Sequence, residues 1–135
     1  MRKVRRVRRR SRRAKRGVIT TVKGGVVNYR SSWEMEYALW LDGNPDVASF
    51  GHETLIIEYV SNARTGRKRR YYPDFVVRYV DGLVEVVEIK PAKRVHHARV
   101  QKKTIAAGEW ARVNGATFRV ITEVQLKELG LLRRR

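Results

Sequence analysis

Two short runs carry residue types able to do chemistry together. They are Tyr72-Pro73-Asp74-Phe75 and Glu88-Ile89-Lys90-Pro91, with thirteen residues between Asp74 and Glu88. Side chains alternate along a strand, so Glu88 and Lys90 share one face while Ile89 enters the opposite layer. A carboxylate and an ammonium on a buried strand are costly unless paired or ligated. A second carboxylate on that face, Asp74, would complete a hard oxygen site suited to Mg²⁺ or Mn²⁺. Such an ion lowers the pKa of bound water and stabilises charge on a scissile phosphate. Lys90 would then orient or help deprotonate the attacking water and contact the phosphate. The competing reading is a surface Glu-Lys pair on an exposed strand beside an incidental Asp. It conflicts with Val84, Val86, Val87 and Ile89, which put apolar groups on both faces of this strand and mark it as central.

Whether Asp74 meets Glu88 depends on register. The spacing predicts strands over Tyr71 to Val80 and Leu83 to Lys90, joined through Asp81-Gly82, a strong hairpin signal. A strict two-residue turn pairs Val80 with Leu83 and sets Asp74 opposite Ile89, so the two carboxylates face apart. A three-residue connection, Val80-Asp81-Gly82 with Gly82 at the left-handed bulge position, pairs Tyr79 with Leu83 and sets Asp74 opposite Glu88. The chemistry requires the second register or an equivalent bulge.

The other elements follow from periodicity and punctuation. Val18 to Val27 is β-rich, either a short strand or an extended lead-in. A helix is expected from about Trp33 to Leu41, opened by a capping box over Ser31-Ser32-Trp33-Glu34 and stopped at Asp42-Gly43-Asn44-Pro45, with Gly43 as a left-handed cap. Leu55 to Tyr59 reads as a strand and Ser61 to Arg70 as a polar, basic loop. A second helix is expected within Val95 to Asn114, a fourth strand over Thr117 to Ile121, and a last helix to about Leu129 opened by Thr122-Glu123-Val124-Gln125. The order α-β-β-β-α-β-α fits an α/β sandwich around a mixed sheet.

Charge narrows the partner. Lys and Arg number 31 against 13 Asp and Glu, a net charge of +18 over 135 residues. A domain this basic repels itself unless it meets a polyanion, and nucleic acid is the first candidate. Eleven of the first sixteen residues are basic, among them Arg5, Arg6 and Arg9. Residues 1–20 are therefore read as a flexible DNA-binding arm, the alternative being a solubilising or targeting tail. Residues 21–135 form the single domain. Arg64, Arg67, Lys68, Arg69 and Arg70 are read as a second grip on the DNA backbone. No apolar run approaches a membrane span and no secretory signal opens the chain. The arm lacks the apolar face that would suit an anionic membrane. The absence of cysteine excludes a disulfide scaffold or a thiolate zinc site and fits an intracellular protein.

Pro73-Asp74 and Glu88-Ile89-Lys90 resemble the bipartite motif of the PD-(D/E)XK nuclease superfamily. A wider pattern sharpens the resemblance. Arg30-Ser31-Ser32-Trp33-Glu34, Leu41-Asp42-Gly43-Asn44-Pro45-Asp46-Val47, Tyr71-Tyr72-Pro73-Asp74-Phe75 and Phe118-Arg119-Val120-Ile121-Thr122-Glu123 are similar to one subgroup. That subgroup comprises the tailed-phage head-completion nucleases and the TnsA-like endonuclease subunits of transposases. The resemblance spans roughly Tyr29 to Leu129 and leaves the arm uncovered. It implies a restriction-endonuclease-like core, Mg²⁺- or Mn²⁺-dependent hydrolysis of DNA with little sequence reading, and a location in the host cytoplasm or the virion. Partners would be phage head or portal proteins, or other DNA-processing proteins. It also implies a further acid, Glu34, beside the metal, where the residues alone read a capping role. Glu36 points elsewhere. In the helix after the catalytic strand, Gln101 and Lys103 become candidates for the DNA backbone, against a solvated helix face. Lys93 and Arg94 stand where related phage sequences carry a Gln.

His52, His96 and His97 have no zinc-ligand spacing. Phosphate contact or plain exposure suits them better than ligation, with His96 and His97 diverging on a helix. Trp33, Trp40, Trp110, Tyr71 and Tyr72 suit the core better than base stacking. The competing functional classes are a non-catalytic DNA-binding or virion structural protein on a nuclease fold, and a transposon-end or Holliday-junction endonuclease. The residues do not specify oligomeric state.

Overall fold

The computed structural model describes residues 15–132. A four-stranded mixed sheet forms the centre, from β3 (Val47–His52), β6 (Phe75–Tyr79), β7 (Val84–Ile89) and β8 (Thr117–Ile121), in the order β3-β6-β7-β8. β3, β6 and β7 are antiparallel neighbours, whereas β8 runs parallel to β7. The parallel step needs a crossover, which α2 (Ala98–Val113) supplies after a short 3₁₀ turn at Ala92–Arg94.

The two faces of the sheet carry different layers. Phe75 and Val77 of β6, Val87 and Ile89 of β7 and Ile121 of β8 bury against Tyr37, Ala38 and Leu41 of α1 (Ser32–Gly43). α3 (Glu123–Glu128) adds Leu126 to the same core. On the other side Ala107 of α2 packs with Ile57 and Tyr71, and Trp110 and Phe118 lean on this smaller cluster. Ile57 and Tyr71 come from a separate two-stranded ribbon, β4 (Ile57–Asn62) and β5 (Arg67–Tyr71). A further hairpin, β1 (Gly17–Thr21) and β2 (Gly25–Tyr29), precedes α1. Its turn is tied to the end of α1, where Asp42 accepts the Val22 and Lys23 amides at 3.2 and 2.8 Å. Gly24 passes so close to Phe50 that a side chain there would meet the ring.

Several expectations need correction. The basic stretch read as a loop contains strand β5, whose Arg67 to Arg70 pair with Asn62 to Glu58. The long strand expected over Tyr71 to Val80 is broken at Tyr72-Pro73-Asp74, because proline cannot donate to a ladder. β3 and the β1–β2 hairpin add strands to the expected order, and β1 begins at Gly17, within the stretch read as the arm. Gly43 is no left-handed cap. The helix ends at Asn44, held extended by the following proline. Ser31 caps α1 through the Glu34 amide, but the Glu34 carboxylate takes the Arg30 amide in place of Ser31's own. The second capping box, Thr122 with Gln125, is complete.

Candidate active site

The β6–β7 connection decides the site. Phe75 pairs with Val87 and Arg78 with Val84, and the Tyr79 amide donates to Leu83 O at 2.9 Å. Gly82 sits at φ 92° and donates to Tyr79 O at 3.0 Å, which is the three-residue connection with its left-handed glycine. Carried one step beyond Phe75, this register puts Asp74 opposite Glu88. The Ile89 amide donates to Asp74 Oδ2 at 2.7 Å and the Asp74 amide to Glu88 Oε1 at 3.3 Å.

Around this pair a cleft of about 370 Å³ is lined by Arg30, Glu34, Tyr71, Asp74, Glu88, Lys90, Arg94 and Lys103, among others. Glu34, Asp74 and Glu88 are all buried. Burial raises the pKa of Asp74 well above the ordinary value, reinforced by the nearby charges of Glu88 and Glu34. Burial also raises that of Glu88, despite Lys90 and the Tyr71 hydroxyl, which donates to Glu88 Oε1 at 2.8 Å. Lys90 Nζ stands 3.5 Å from Glu88 Oε2. Glu34 goes the other way. Burial would raise it, but the His52 ring at 3.2 Å and the Arg30 amide at 3.0 Å together hold it below the ordinary range.

The structure thus brings Glu34, Asp74, Glu88, Lys90 and Lys103 into one cleft. Gln101 is exposed on α2 and is not among the cleft's lining residues. Arg64, Arg67, Lys68, Arg69 and Arg70 are exposed on the β4–β5 hairpin, joined to the cleft through Tyr71 at its end. Arg5, Arg6 and Arg9 lie outside the described residues. His96 and His97 are exposed in the turn before α2, not on the helix. His52 is not a surface residue: its side chain is 5% exposed and bonded to Glu34. Arg30 and Arg94 line the cleft unforeseen, although both stand inside the family pattern or beside it. Of the aromatic residues, Trp33, Trp40 and Trp110 pack against the cores, and Tyr72 is 41% exposed at the cleft.

Among the described residues no three His, Asp or Glu side chains converge closely enough to enclose a metal ion alone. Two carboxylates are nevertheless a normal protein share for Mg²⁺, which completes its shell with waters and substrate phosphate oxygens. Two acids biased toward their neutral forms, both by burial and Asp74 also by its acidic neighbours, fit a site that a cation would balance.

A mixed sheet flanked by helices, with paired acids and a lysine at the edge of its central strands, defines a nuclease of the restriction-endonuclease-like class. The chain belongs to the TnsA-like endonuclease N-terminal family, which matches residues 44–123. It is also similar to the head completion nuclease of Enterobacteria phage T4, at 34% identity over 126 residues, covering 77% of this chain and 83% of that protein. No helix among the described residues is long and apolar enough to cross a membrane.

Proposed function

We propose that this nuclease is a metal-dependent DNA endonuclease with little sequence specificity, acting in phage head completion. The observation that carries the reading is the meeting of Asp74, Glu88 and Lys90 in a cleft where four cations (Arg30, Lys90, Arg94, Lys103) surround three acids. Such a cleft attracts a polyanion while keeping carboxylates at its floor.

Asp74 and Glu88 would hold Mg²⁺ or Mn²⁺, with Glu34 beside them, and the bound ion would supply Lewis-acid charge at the scissile phosphate and a more acidic water. Tyr71 keeps Glu88 turned toward Asp74 through its 2.8 Å hydrogen bond. Lys90 orients the attacking water and contacts the phosphate. Arg30, Arg94 and Lys103 take flanking phosphates, and the Arg67 to Arg70 strand extends that grip. These interactions go to the backbone and carry no base information. The head-completion role rests on likeness to the phage T4 protein. The family match also favours a second reading, cleavage of transposon ends. A chain that nicks only in the presence of a transposase partner would favour the latter.

The test is cleavage of plasmid and linear duplex DNA in Mg²⁺ or Mn²⁺, with EDTA, Asp74→Ala and Lys90→Ala controls. Metal-dependent nicking abolished in both variants, with DNA binding retained, is expected. Binding with no cleavage in any metal would overturn catalysis in favour of a DNA-binding or virion structural role.

A further inference from the structure

Strand β3 ends beside the cleft in a way the catalytic reading does not use. Its last residue, His52, pairs with Phe75, the neighbour of Asp74, and its ring lies 5.1 Å from the Phe75 ring. His52 Nε2 is 3.2 Å from Glu34 Oε2, and the Arg30 amide donates to the same oxygen at 3.0 Å. Two donors saturate the lone pairs of Oε2, so any further ligand of Glu34 must take Oε1. The next residue, Glu53, occupies the left-handed region at φ 55° although it is not glycine. That turn directs its amide onto Asp74 O at 3.0 Å, and its carboxylate pairs with the Arg30 guanidinium. Residues 52 and 53 therefore touch Glu34, Asp74 and Arg30 at once, from a strand that contributes no side chain to the cleft wall.

We propose that His52 is a positioning residue for the reaction: it fixes the carboxylate plane of Glu34 so that Oε1 is left to accept from a water of the divalent cation's shell. The inference rests on the metal-dependent reading above. A backbone left in a sparsely populated conformation at a cleft, pinned by the groups around it, is where positioning strain is commonly stored. Hydrogen-bonded partners outside a metal's own ligands orient the groups around it, and their removal commonly lowers metal affinity or activity by roughly 10-fold or more.

The test compares His52→Ala and His52→Gln with the wild type. The glutamine keeps an amide donor near the Nε2 position. Mn²⁺ alone is titrated into the metal-free proteins and free Mn²⁺ is read by electron paramagnetic resonance. Plasmid nicking and thermal midpoints are measured on the same samples. His52→Ala should weaken Mn²⁺ binding roughly 10-fold and slow nicking at saturating DNA with little change in KM. His52→Gln should restore most of both. In a Glu34→Ala background, His52→Ala should have little further effect on the nicking rate. Equal Mn²⁺ affinity and nicking in wild type and His52→Ala would overturn the positioning role alone. So would a fall in thermal midpoint that glutamine rescues without change in Mn²⁺ affinity. A wild type that binds no Mn²⁺ and nicks in EDTA would overturn both this role and the metal-dependent reading.

Discussion

Asp74 and Glu88 are held in a state that an isolated carboxylate would avoid. Both bind protons more tightly in the folded protein than in the unfolded chain, because burial disfavours ionisation of each and the charges of Glu88 and Glu34 add to it at Asp74. The sign of the linkage follows. Below the unfolded carboxylate value both states are protonated and the pair carries no penalty. As pH rises past that value the unfolded chain releases protons first, and stability falls until the folded groups ionise. Asp74→Asn should therefore stabilise the metal-free protein at neutral pH by about 1 kcal/mol, or roughly 3 °C. The gain should shrink as pH falls toward about 4. Thermal melts at a series of pH values in EDTA check this, and a gain independent of pH would contradict it. Asp74, Glu88 and Lys90 were readable from residue type and spacing. His52 was not: a lone histidine at the end of a strand has no spacing signal, and its partner Glu34 is eighteen residues away on a helix.

At the scale of the element, one turn carries the arrangement. Gly82 at φ 92° makes the β6–β7 connection three residues long, and a one-residue change of register would send Asp74 to the opposite face from Glu88. Gly82→Ala places a side chain in the left-handed region and should cost about 1 kcal/mol, read by denaturant unfolding with unchanged slope. This register was legible because Asp-Gly between β-rich runs admits few turns. β3 was not legible. A shift in pairing between Val47 and Ser49 puts Val47 and Phe50, three residues apart, on the buried side, which breaks the two-residue period. β5 was missed for another reason. Arg67 to Arg70 are all exposed, so backbone pairing with β4 defines this strand and no apolar alternation announces it.

For the molecule as a whole, the excess of positive charge is the property that reaches farthest into solution. The β4–β5 hairpin presents Arg67, Lys68, Arg69 and Arg70 on an exposed strand ending at Tyr71, whose hydroxyl touches Glu88. Replacing these four residues by serine should weaken DNA binding similarly on all sequences. It should also flatten the plot of log affinity against log salt by about 0.9 for each phosphate left without its cation. Fluorescence anisotropy with two unrelated duplexes at several salt concentrations measures both effects, and an unchanged slope would remove the hairpin from the interface. The same titration on a chain lacking residues 1–14 weighs the contribution of the basic arm. Composition alone pointed to a polyanion, but the hairpin's link to the cleft exists only in three dimensions, because β5 and β7 are brought together by the fold.

The parallel pairing of β7 with β8 has a consequence for timing. Glu88 and Ile89 lie beside Val120 and Ile121, and the Lys90 amide donates to Ile121 O at 2.9 Å. On the ribosome, the strand bearing the acid and the lysine emerges some thirty residues before its neighbour. Until Ile121 is made, that strand has an open edge and the cleft lacks one support. A basic chain that reaches nucleic acid while still being synthesised therefore does so before Glu88 and Lys90 have their support from β8.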